Sequence, residues 1–110
     1  MTRRPGWAAA LLLPLVTACG PSERPPDAVV VVSNVHFAPP DVTVPAGGTV
    51  EWRFEDGGVL HQVTSEGRFD SGITGGGTYS HTFDEPGTYE YTCSVHRYMT
   101  GTVTVTVTES

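Results

Sequence analysis

At 110 residues the chain has room for one small domain. Its formal net charge is −6, or −8 once Arg3 and Arg4 leave with a leader (−6 − 2); such a surface disfavours nucleic acid and anionic lipid headgroups and suits a cationic partner, besides keeping the protein in solution. Ten aromatic residues (two Trp, four Tyr, four Phe) and many valines supply a modest core, while thirteen glycines and nine prolines point to short strands joined by turns rather than to helices.

Met1-Thr-Arg-Arg-Pro-Gly-Trp7 is a short cationic head, and Ala8 to Val16 is an apolar run interrupted by one proline. The run is too short to span a bilayer and fits the apolar region of an export signal. It ends in Val16-Thr17-Ala18-Cys19-Gly20. This resembles the bacterial lipobox, in which a small residue precedes the cysteine that becomes the lipidated N-terminus. The expected organisation is an export signal over 1–18, a lipid-anchored tether over 19–27 and a folded domain over 28–110. Cys19 would carry acyl chains, and more than one chain gives stable anchoring to a membrane. The proline-rich Gly20 to Pro26 favours an extended spacer and reaches about 20 Å. In an exported protein two cysteines default to one disulfide. Here separate roles are expected, because a bond from Cys93 to a tail before the domain would staple little.

Asp27 to Val32 opens the domain as a β-branched strand, expected to continue with a kink through Ser33-Asn34 to Val35 and Phe37. Val42 and Val44 alternate with Asp41 and Thr43, and Pro45-Ala-Gly-Gly48 is a turn. Thr49 to Phe54 alternates with period two, placing Val50, Trp52 and Phe54 on one face. After the Glu55-Asp-Gly-Gly58 loop, His61 and Val63 share a side of another short run. Ser65 to Gly77 is glycine-rich, with Phe69 and Ile73 as expected anchors; it lacks the lysine of a phosphate-binding loop. Tyr79, His81 and Phe83 form a strand face, and Glu85-Pro86-Gly87 has the order of a type II turn. Tyr89, Tyr91 and Cys93 share the next face, and Val103, Val105 and Val107 the last. About seven short strands and no convincing helix describe an all-β sandwich.

The chemistry concentrates in Tyr91-Thr-Cys-Ser-Val-His-Arg-Tyr-Met99. Cys93, His96 and Met99 lie three residues apart just after a strand, and period two turns the Cys93 thiol inward. With His61 they make two imidazoles, one thiolate and a thioether, the donor set of a blue-copper electron-transfer site. Thiolate suits Cu(I), imidazole suits both oxidation states, and a distant thioether disfavours Cu(II) and raises the potential. Gln62 and Ser94 are candidates to tie the two ligand regions by hydrogen bonds. His36 is expected to be exposed and His81 to be packing, neither of them a ligand.

Gly77 to Met99, together with Phe37-Ala-Pro, Val44-Pro-Ala-Gly-Gly-Thr-Val-Glu-Trp52 and His61-Gln-Val-Thr64, resembles the cupredoxins. The plastocyanin, halocyanin and amicyanin group is nearest, and the two-residue gap between His96 and Met99 is most like amicyanin. The resemblance covers nearly all of residues 29–108. It implies a Greek-key sandwich with one type 1 copper, His61, Cys93 and His96 as equatorial ligands, Met99 as the axial one, and electron passage through an exposed edge of His96. Three positions depart from the pattern. Gln62 stands where many members have Asn, and Val95 and Arg97 stand where the amicyanin loop has prolines. Arg97 also puts a positive charge beside the electron-exit edge.

These features describe a monomeric, lipid-anchored carrier in the cell envelope that exchanges electrons with donor and acceptor proteins and is not an enzyme. Only one cysteine lies in the ligand loop, whereas a binuclear copper centre needs two. The competing reading is a copper-delivery protein on the same fold. Methionine- or histidine-rich clusters would favour it, and Met1 and Met99 make none.

Overall fold

The computed structural model describes residues 24–108. The expected export signal, Cys19 and the first part of the expected tether lie outside the described residues. Nine strands and no helix occur among those described: β1 (Ala28–Ser33), β2 (His36–Ala38), β3 (Asp41–Pro45), β4 (Gly48–Phe54), β5 (Thr64–Ser65), β6 (Phe69–Asp70), β7 (Thr78–Phe83), β8 (Gly87–Thr92) and β9 (Thr100–Thr106). They form two sheets, ordered β2-β1-β4-β7 and β3-β9-β8-β5-β6. The chain changes sheet between β2 and β3, β3 and β4, β4 and β5, β6 and β7, and β7 and β8, which yields the expected β-sandwich. Both sheets are mixed: β1 runs parallel to β4 and β3 parallel to β9, while the remaining pairs are antiparallel.

The period-two faces meet between the sheets. Val30, Val32, Val50, Trp52 and Phe54 come from one sheet, and Val44, Tyr91, Val103 and Val105 from the other; all are buried. Trp52 sits among aromatic rings, edge-on to Tyr91 at 5.3 Å and 5.7–5.8 Å from Tyr79 and Phe69. The Tyr91 hydroxyl donates to the Pro40 carbonyl at 3.3 Å. Its ring occupies the space over Gly101, where a Cβ would lie 2.3 Å from the Tyr91 ring and 2.5 Å from the Pro40 oxygen.

Four details differ from the sequence reading. Residues 28–38 form a tight hairpin, not one kinked strand: β1 pairs antiparallel with β2, and Ser33 faces His36. Asn34 and Val35 make the turn with φ of 51° and 57°, the signs that match the twist of a two-residue hairpin. Ile73 is not an anchor but 59% exposed; its neighbour Thr74 pairs with His61 through the backbone, so the segment is held without Ile73. Val107 is 72% exposed, because the ladder with β3 ends at the Pro45–Thr106 pair. At Glu85-Pro86-Gly87, Gly87 has φ 150° and already belongs to β8, far from the value near +80° that a type II turn requires.

Gly101→Ala is expected to lower the unfolding free energy by about 1–3 kcal/mol, read from the urea midpoint. Burial pushes the Tyr91 phenol up to about 12, from an ordinary value of 10.0. A folded value above the unfolded one contributes stability that is present below the unfolded pKa and lost as pH rises through the folded one. Unfolding free energy measured between about pH 10 and 12 should therefore carry a Tyr91 contribution that disappears in Tyr91→Phe.

Candidate metal centre

The centre lies at one end of the sandwich, where β8 runs out. Cys93 follows the last residue of β8 and is fully buried. The next six residues fold back on themselves through main-chain bonds. Met99 N–H donates to the His96 carbonyl at 2.9 Å, and Cys93 N–H donates to the Met99 carbonyl at 3.1 Å. The Thr92 hydroxyl also donates to the Met99 carbonyl, at 3.0 Å, and the His96 N–H points at the Cys93 sulfur at 3.4 Å. Closure of this loop brings Cys93, His96 and Met99 together without proline. Met99 is 3% exposed.

His61 arrives from the opposite side. It exchanges two backbone hydrogen bonds with Thr74, both 2.9 Å, so the glycine-rich connection returns to clamp it. The approach is close: a Cβ on Gly75 would sit 2.8 Å from the Gly58 carbonyl oxygen, which restricts that position to glycine. His61 is fully buried. Its Nδ1 lies 3.8 Å from the Cys93 sulfur, and the His96 Nδ1 lies 3.6 Å from the same atom. The two imidazole rings are 5.0 Å apart at 51°. One donor atom from each of His61, Cys93 and His96 lies within 4.8 Å of the others. Two donors placed trigonally at about 2.0–2.3 Å from a metal, the lengths of Zn–N and Zn–S bonds, are about 3.8 Å apart. The two Cys93–His distances therefore fit a single ion, and the soft donor set, with His61 and Cys93 fully buried, fits copper. Cys93 is a free thiol.

The residues flanking this set are tied together. The Ser94 hydroxyl donates to the Gln62 side-chain oxygen. Gln62 Nε2 in turn donates to Asp70 at 2.6 Å. The Gly72 N–H, and then Gln62, hold the Asp70 carboxyl below the usual carboxylate range. Gln62 thus spans from the cysteine loop to the end of β6. His36 is exposed, and its Nδ1 meets only the Asn34 carbonyl, at 2.6 Å. His81 packs against Phe69 in a tilted contact and against Phe83 edge-on, and burial pushes its pKa down. Neither belongs to the cluster.

Sequence reasoning missed Asp56 and Asp70. In the sequence Asp56 is simply one residue of the Glu55–Gly58 loop. Its Oδ2 lies 2.8 Å from His61 Nε2, and its carboxylate also accepts the Asn34 and Val35 N–H groups at 2.9 and 3.1 Å. The His61 hydrogen bond is the main cause that holds the Asp56 carboxyl below its ordinary value. Its position five residues before His61, in a loop, was the only available signal.

The cupredoxin-like domain family matches residues 6–105 of the chain. The chain belongs to the cupredoxin family. Within that family it is similar to amicyanins. Amicyanin of Paracoccus versutus is 37% identical over 97 residues, covering 76% of this chain and 69% of the relative. Amicyanin-alpha of Methylorubrum extorquens is 32% identical over 87 residues, covering 69% of each. Among solved structures, a reduced Cu(I) form of an amicyanin variant superposes with a TM-score of 0.67 at 30% identity, covering 76% of this chain and 86% of the other. A purple cupredoxin from Nitrosopumilus maritimus gives 0.67 at 29% identity, covering 73% and 100%. Copper is the cofactor that this cupredoxin's family and its donor set both fit.

Proposed function

We propose that this cupredoxin is a one-electron carrier of the cell envelope that holds one type 1 copper with His61, Cys93 and His96 in the equatorial plane and Met99 on the axis. The observation that carries the reading is the convergence of the His61, Cys93 and His96 donor atoms within 4.8 Å, with Met99 fixed by the main chain of the loop that carries Cys93 and His96. The copper supplies the change between Cu(I) and Cu(II). The protein supplies a frame that holds the donors in place and keeps water away from the fully buried His61 and Cys93. Such a frame limits rearrangement between the two oxidation states.

His96 is only partly buried, so its outer edge is the natural route for outer-sphere transfer. Exposed apolar side chains lie around that end: Val59, Leu60, Ile73, Val95 and Tyr98 are each 40–69% exposed. Val95 and Tyr98 flank His96 in the loop, and Ile73 sits beside the Thr74 bridge to His61. A surface of this kind suits brief docking of a donor or acceptor protein. Arg97 is exposed in the same loop and adds one positive charge to an acidic protein. Gln62 and Ser94 tie the loops carrying His61 and Cys93. The buried donors argue against a copper-delivery role, which needs ligands open to exchange. We assign no catalytic residue and read the protein as monomeric. The N-terminal pattern supports export and anchoring through acyl chains on Cys19.

Cys93→Ser is expected to abolish the intense visible band of the copper protein, because thiolate-to-copper charge transfer is its source; a retained band would remove Cys93 from the plane. Met99→Leu should keep the band and raise the reduction potential by roughly 60 mV, equivalent to about a tenfold shift in favour of Cu(I). An unchanged potential would remove Met99 from the axis. Cys19→Ala should move the protein from the membrane fraction to the soluble one, with loss of acyl mass by mass spectrometry; continued membrane association would contradict the anchor.

A further inference from the structure

Asp56 is the one carboxylate in direct contact with the donor cluster among the described residues. Three donors converge on it. Asn34 N–H reaches Oδ1 at 2.9 Å, Val35 N–H reaches Oδ2 at 3.1 Å, and His61 Nε2 reaches Oδ2 at 2.8 Å. Two of these come from a turn that is costly to make. Val35 is β-branched and has φ 57°, a conformation rare for such residues and maintained only where the surroundings enforce it. The carboxylate satisfies both N–H groups of that turn, and the turn in exchange fixes how the carboxylate points. An aspartate that only capped the turn would be complete with those two bonds. The third donor is a fully buried imidazole whose Nε2 would otherwise face Asp56 without a partner.

A carboxylate accepts and does not donate. In the neutral ring the hydrogen therefore sits on Nε2, which leaves Nδ1 as the free donor atom, 3.8 Å from the Cys93 sulfur. Orientation and tautomer are both settled by the one contact, as is common where a histidine binds a metal. The contact also puts a negative charge against the far side of the imidazole, with a side chain only 14% exposed, where water screens it less than at an open surface. Negative charge there favours the more positive state of the bound ion.

We propose that Asp56 is a positioning residue for the copper centre: anchored by the strained Asn34-Val35 turn, it fixes the His61 ring and tautomer and favours the oxidised state. The inference rests on the copper-carrier reading and adds to it a determinant of potential lying outside the four ligands. It also makes the β1–β2 hairpin part of the centre, although no residue of that hairpin is a ligand.

The test compares full-length wild type, Asp56→Asn and Asp56→Glu in two measurements. In the copper-free protein, the His61 Nε2 proton should give a protected imidazole resonance by nitrogen-edited NMR, exchanging about tenfold faster in Asp56→Asn, the low end for loss of a hydrogen bond to a charged group. In the copper protein, Asp56→Asn should weaken the preference for Cu(II) over Cu(I) about tenfold, a potential raised by about 59 mV for a one-electron couple. Asp56→Glu keeps the charge and should return most of that change. If Asp56→Asn does not fold, the same pair of measurements is made in a Val35→Gly background, where the turn loses its steric cost. An unmoved potential in a variant that remains blue would overturn the inference, whether or not proton exchange changes, since Asp56 would then be a structural clamp alone. Failure of the carrier reading looks different: the wild type itself would not be blue, and the copper-free resonance would still report on the Asp56–His61 contact.

Discussion

The buried thiol of Cys93 is the constraint on which the arrangement of this end of the sandwich depends. It lies one residue past β8, on the inward face set by Tyr89 and Tyr91, and two imidazole nitrogens have to reach it from different parts of the chain. One comes from the same loop, through main-chain bonds that close Cys93, His96 and Met99 into a compact turn. The other comes from His61, 32 residues away in sequence, and must be held by something other than a regular strand. Its holders are a two-bond bridge to Thr74, a close crossing of Gly58 and Gly75, and the Asp56 carboxylate. The sheets behind them, packed around Trp52 and Tyr91, give these loops a fixed base.

Much of this was legible in the sequence. Alternation in Thr49–Phe54, Tyr79–Phe83 and Tyr89–Cys93 gave the inward faces because period two is a backbone property that survives whatever the partner strand is. The Cys93, His96, Met99 spacing was equally plain, since it is local. What could not be read was set by pairing between distant segments. The turn at Asn34-Val35 was missed because a β-branched residue at positive φ contradicts local preference, and the Asp56 carboxylate that satisfies it lies 21 residues from Val35. Ile73 was expected inside because it is the apolar residue of its segment, yet backbone pairing by Thr74 does the anchoring. Val107 continued a clear alternation, but its strand had run out of partner. Asp56 itself had no pattern to mark it.

The ligand loop holds its shape without the prolines of the amicyanin pattern, as its sequence indicates. Val95 and Arg97 occupy the positions beside His96, and rigidity comes from hydrogen bonds: Met99 to His96, Cys93 to Met99, Thr92 to Met99, and Ser94 to Gln62. Gln62 reaches both Ser94 and Asp70. The fold leaves open how the copper is tuned. Its solved neighbours include an amicyanin variant and a cupredoxin described as purple, at the same TM-score.

The decisive measurement is a Cu(II) titration of the purified protein with visible absorption and EPR spectra recorded together. Saturation at one copper per chain, an intense blue band and a narrow copper hyperfine splitting are expected. A pale solution with an ordinary Cu(II) spectrum would contradict a type 1 centre, because the buried Cys93 thiolate would then be absent from the equatorial plane.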